Sequence, residues 1–172
     1  MKQSMYLDKA NHGRYEGDIE VYDGDKLGGL VHKSELKTEY ALDKYKVTMH
    51  VMLGFSMAYL NDSIKSADRG KAFGMNKVVV IKPNQVPSDN FQILGIFETE
   101  LEANSYKSYL ETKLCRFLNY MGICSNTITP EFLRLIQDIG KYEHTFTDKE
   151  VYDYYKLSNE DIELIEAVIK DR

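Results

Sequence analysis

Two cysteines in 172 residues, Cys115 and Cys124, are too few for a disulfide framework or a zinc site. They predict reduced thiols in a cytoplasmic protein. No apolar run approaches the ~20 residues of a membrane span. The opening MKQSMYLDKANHGRYEGD has no apolar stretch of the signal-peptide kind. GDKLGGL contains glycines, but not at the spacing of a P-loop or a dinucleotide fold. His12, His32, His50 and His144 never form a helical i, i+4 pair, so no metal site is predicted. A G-x-S-x-G elbow is missing, and Cys124 has no identifiable base beside it. There is no internal repeat and no low-complexity tract. An excess of positive charge is also lacking, because the net charge is −5.

That charge is unevenly spread. Residues 44–86 hold seven basic and two acidic residues, a local net of +5. Residues 143–172 hold nine acidic and four basic residues, a net of −5. Either run reads as a solvated face. The alternative is that the central segment meets a polyanion while the tail faces water or a basic neighbour.

The length suits one domain with its own core. Residues 1–17 are polar and read as an exposed lead-in. DIEVYDGDKLGGLVHKSEL alternates about Gly24-Asp25, which predicts a β-hairpin. In DKYKVTMHVML, Tyr45, Val47, Met49 and Val51 share one strand face. Residues 54–76 form a long polar connection broken by Gly54, Gly70 and Gly74, a length that is usually functional or disordered. KVVVIKP and FQILGIF read as strands that pair as a hairpin across the turn-rich link NQVPS.

Helices follow. Thr99 and Glu102 make a capping box for a helix running to about Met121, with Ala103, Tyr106, Leu110, Leu114, Phe117, Leu118 and Met121 at helical spacing. Thr129 and Pro130 predict a helix start, with its end near Gly140. Thr147 with Glu150 starts a short third helix, and Ser158 starts a fourth with Ile162, Ile165 and Ile169 as its buried stripe. The predicted fold is α+β: a small antiparallel or mixed sheet in the N-terminal two-thirds, packed by a long helix. A cluster of short C-terminal helices completes it. The core is placed at 18–122 and the helical segment packed on it at 123–172.

The stretch LETKLCRFLNYMG poses the central question. Leu110, Leu114, Phe117 and Leu118 form an apolar face, and Lys113 and Arg116 stand one turn apart beside it. The cations either snorkel from a core helix or project outward and clamp phosphates. Glu111 and Lys113 mimic a nuclease spacing, but residues two apart on a helix diverge by about 200° and cannot share one metal.

Several segments, taken in order, resemble the C-terminal target-recognition (TaqI-like specificity) domain of type II restriction–modification adenine methyltransferases. Pro83, Asn84 and Val86 match a P-N-x-V turn between two strands. Thr99 to Ala103 match an acidic helix start. Tyr109, Leu110, Thr112, Lys113, Arg116, Phe117 and Leu118 match a Y-L-x-T-K-x-x-R-F-L helix. FTDKEVYDYYKLSNEDIELIEAVI is similar to that family's closing segment, and ALDKYKVTM to an upstream strand. The likeness covers about residues 18–172. Phe146 stands where the family often has Trp, Leu157 follows Lys156 where Gly-Leu is usual, and Leu114 and Cys115 replace aromatics.

The resemblance implies a DNA-reading part of an enzyme that methylates or cuts DNA at a short sequence. The adenine-flipping N-P-P-Y/F motif is not in these residues. S-adenosylmethionine, and Mg²⁺ for a nuclease, are expected for the parent enzyme and no cofactor for this chain. The implied partners are double-stranded DNA and the catalytic domains of the same polypeptide, with no membrane. Reading sequence needs donors and acceptors that reach base edges. The candidates are Asn61, Ser63, Lys65, Ser66, Arg69 and Lys71 in the long connection. Asn84, Gln85, Ser88 and Asn90 in the link join them, with Lys113 and Arg116 on the helix. The rival reading is a protein–protein module built on the acidic tail and Tyr152, Tyr154 and Tyr155.

Overall fold

The structure, a computed structural model, describes residues 6–7, 16–24, 27–51, 71–122 and 134–172. Its architecture is α+β, with two three-stranded sheets first and helices later. One sheet runs β2 (Leu27–Val31), β1 (Ile19–Tyr22), β5 (Gln85–Pro87), and the other β4 (Val78–Ile81), β3 (Tyr45–His50), β6 (Phe91–Phe97). The helices are α1 (Glu100–Glu111), α2 (Lys113–Gly122), α3 (Asp148–Tyr155) and α4 (Asn159–Val168).

β1 and β2 form the expected antiparallel hairpin. The other pairings differ from expectation. β4 and β6 do not pair with each other, because β3 lies between them and is antiparallel to both. The link NQVPS contains a strand, β5, parallel to β1 with Val21 opposite Val86. β3 is therefore buried on both faces. Val47 and Met49 enter the helical core, while Lys46 and Thr48, with no exposed surface, occupy the opposite face.

Two apolar cores result. The larger gathers Val47, Met49, Val78, Leu94, Leu110, Leu114 and Ile165 between the β4-β3-β6 sheet and the helices. The smaller contains Ile19, Val21, Val31, Leu42 and Val86 together with Tyr6 and Leu7, and Ile93 of β6 packs against it. The N-terminal lead-in is thus not wholly exposed. Tyr6 is fully buried, its hydroxyl donates to the Tyr40 carbonyl at 2.9 Å, and Lys37 N–H donates to the Tyr6 carbonyl. Full burial of one such side chain contributes about 1.5–3 kcal/mol.

Helix starts follow local chemistry. Thr99 and Ser158 close capping boxes, and the Thr147 side chain accepts the Glu150 N–H. The predicted single helix from Thr99 to Met121 is instead two. At Thr112 the chain turns extended (φ −62°, ψ 153°), and its hydroxyl donates to the Tyr109 carbonyl at 2.7 Å. The predicted helix ending near Gly140 begins outside the described residues, and residues 137–147 are irregular. Among the described residues no helix is long and apolar enough to cross a membrane.

Candidate nucleic-acid interface

Of the two alternatives for Lys113 and Arg116, snorkelling from a core helix or projecting to clamp phosphates, the second does not match their placement, because both face inward. The break at Thr112 rotates α2 so that its cations point to the C-terminal residues. Arg116 is 2% exposed. Its Nε donates to the Glu111 carbonyl (2.9 Å) and its terminal nitrogen to the carbonyls of Phe73 (3.2 Å) and Lys170 (2.9 Å). Burial lowers its pKa. Lys113 is ion-paired with Glu166 and, at 2.6 Å, with Asp171. Burial opposes its charge, but these two partners outweigh that and raise its pKa. Gly74 sits over the Arg116 carbonyl at φ +78°, where an added Cβ would collide with α2 backbone. Asn119 donates to the Gly74 carbonyl from the same helix. This cluster joins residues 72–75, α2 and the C-terminus, where Ala72 bridges Ile169 in parallel.

The link residues are also engaged internally. Ser88 is 2% exposed and donates to Asp23, which also accepts from Asn90 Nδ2 at 3.1 Å. Gln85 donates to Glu20 at 2.7 Å and accepts the Lys82 N–H at 3.0 Å. These three stabilise the β1–β5 junction rather than standing free for base edges. Asn84 is exposed at φ +60°. Lys71 is half-buried at the Ala72 bridge. Asn61, Ser63, Lys65, Ser66 and Arg69 lie outside the described residues, as does Cys124. Cys115 is buried, which pushes its thiol up to about 11 and leaves it inert at neutral pH. Of the three tyrosines proposed for a protein interface, Tyr152 donates to Glu166 and Tyr155 bonds the Tyr109 hydroxyl, so only Tyr154 is exposed.

A cleft of about 280 Å³ lies between β4 and α1, lined by Tyr22, Lys77, Val78, Val79, Val80, Lys82, Glu100, Asn104 and Lys107. Side chains of Val79 and Val80 leave opposite faces of β4, so a cleft touching both lies across the strand's edge. Lys77 and Lys82 flank β4 and are exposed. Lys107 stands across from them on α1, with Glu111 at 4.0 Å. Three lysines outnumber the two carboxylates at the cleft, Glu100 in its lining and Glu111 beside Lys107 and the Val78 N–H, so the cleft is net cationic on an acidic molecule. Lys77 and Lys82 were visible in the sequence only as part of a basic stretch. Tyr22, Asn104 and Lys107 carried no signal there, since tertiary packing alone brings them to β4. Among the described residues no His, Cys, Asp and Glu group could hold a metal.

The chain matches no protein-family model, and it is similar to no curated protein and to no solved structure.

Proposed function

We propose that the chain is the sequence-specific DNA-recognition domain of a type II restriction–modification enzyme, an adenine methyltransferase, an endonuclease or both. One observation carries the structural side of this reading: Lys77, Lys82 and Lys107 gather at the β4–α1 cleft, whereas Lys46, Lys113 and Arg116 are consumed by internal bonds. The acidic balance of the rest of the chain would then orient the molecule, cleft toward the polyanion. Methyl transfer would belong to other parts of the polypeptide, which would hold S-adenosylmethionine, with Mg²⁺ for any nuclease. In this chain the lysines would fix register on the phosphates. Base reading would fall to neighbouring polar residues, with Asn84 and Asn104 the exposed amides near the cleft's strand and helix.

The test is binding of duplex DNA at several salt concentrations. The chain should lose affinity steeply as salt rises. A Lys77→Ala, Lys82→Ala, Lys107→Ala variant should flatten the log-affinity versus log-salt slope by two to three, at ~0.9 for each phosphate no longer neutralised. A parent-like slope in the triple variant would remove the cleft from the interface. No DNA affinity at low salt would remove the reading itself.

A further inference from the structure

The outer edge of β4 has an unusual termination. At the end of β3, the N–H of the next residue, Val51, donates to the Asn90 carbonyl beside β6, and the His50 carbonyl accepts from Asn76 just before β4. Even-numbered residues of β3 therefore face β4, and their partners there are Val79 and Ile81. Val78, Val80 and Lys82 must turn their backbone groups outward. Two of those outward N–H groups are satisfied by side chains: Val78 donates to Glu111 Oε1 at 3.3 Å and Lys82 to Gln85 Oε1 at 3.0 Å. The third, on Val80, has no partner among the described residues, and Val80 lines the cationic cleft.

We infer that the Val80 N–H is a phosphate-binding donor: it holds a phosphate oxygen of the DNA backbone while Lys77, Lys82 and Lys107 neutralise that phosphate and its neighbours. This deepens the DNA reading and rests on it. The chemistry is specific. A neutral amide on a rigid strand fixes where a phosphate sits, whereas lysines on flexible stems mainly attract it. Lys77 and Lys82 lie three and two residues from Val80, about 10 and 7 Å along a strand at ~3.3 Å per residue. Both ammonium groups can therefore converge on a ligand at the amide. Among the described residues Glu111 and Gln85 leave one open position, which suits a single anion and is too short for an added strand. Asn104 on α1 also lines the cleft, and its Nδ2, which donates to the Glu100 carbonyl at 2.9 Å, has a second hydrogen to offer as a neutral donor.

Two measurements test this. In the unaltered protein the Val80 amide should exchange rapidly with solvent and become at least tenfold slower when duplex DNA saturates the chain. In Val80→Pro the outward N–H is removed without loss of a ladder bond, a position where proline is tolerated on an edge strand. That variant should bind DNA about 5–10-fold more weakly with an unchanged salt slope, because the missing donor is neutral. Val80→Ala keeps the N–H and should bind like the parent. Lys77→Ala with Lys82→Ala should instead lower the slope by about 1.8. If DNA binds but the Val80 amide stays unprotected, the inference fails while the DNA reading stands, and the lysines only guard an edge. Parent-like affinity in a folded Val80→Pro has the same consequence. If Val80→Pro does not fold, amide protection alone decides. If no DNA binds, the functional reading and the inference fall together.

Discussion

Lys46, the second residue of β3, carries an ammonium group with no exposed surface, and it donates to the carbonyls of Ala41 (3.0 Å) and Lys44 (2.8 Å). Burial pushes it down to about 8, with Asp43 opposing the shift. In the unfolded chain it titrates near 10.5. Between these values the folded protein has released a proton that the unfolded chain still holds, so stability from this group rises with pH. The stability of the parent relative to Lys46→Met should therefore increase from pH 7.5 to pH 10.5 by roughly 2–3 kcal/mol. Urea denaturation of both proteins across that range is the measurement, and a flat or falling difference would show that Lys46 stays charged. Lys46 also shows what a count of charges hides. It belongs to the basic segment by number, yet it points into the protein. Lys113 and Arg116 misled for the same reason. Apart from the Glu111 carbonyl, their partners lie 43 or more residues away, so no local pattern distinguishes a buried cation from a phosphate clamp.

At the scale of elements, what was legible depended on how local the cause was. The caps at Thr99, Thr147 and Ser158 act within four residues, and each helix starts where its cap predicts. The β1–β2 hairpin was legible from its turn. β5 was not, because three residues ending in proline look like a link, and its strand partner β1 lies 65 residues earlier at Glu20 and Gln85. The break between α1 and α2 has neither glycine nor proline to announce it. It is held from outside: the Asp148 carboxylate of α3 accepts the Lys113 N–H at 2.5 Å, at the first turn of α2. Asp148 thus caps one helix while occupying the first position of another. Asp148→Ala should cost about 1–2 kcal/mol, and Asp148→Asn much less. Equal losses in the two variants, read from denaturation midpoints, would show that the capping geometry is not the cause.

Across the molecule, the described residues form two cores sharing one strand. β6 sends Leu94 to the larger core and Ile93 to the smaller, so neither can melt without disturbing the other. Unfolding should therefore be one transition. Leu110→Ala in the larger core and Ile19→Ala in the smaller should each cost about 2–5 kcal/mol. Both should move far-UV circular dichroism and tyrosine fluorescence together. Separate midpoints for the two probes in Ile19→Ala would mean that the smaller core melts alone.

The Arg116 cluster also bears on the order of events in folding. Its hydrogen bonds to Phe73 and Lys170 close chain loops of 43 and 54 residues. Closing such loops is entropically costly until neighbouring contacts already hold the ends. The guanidinium should then lock only after the rate-limiting barrier. Arg116→Met should leave the refolding arm of a chevron nearly unmoved and accelerate the unfolding arm. The residue that first looked like a hand for DNA would act as a late bolt, setting how long the folded chain persists rather than how fast it forms.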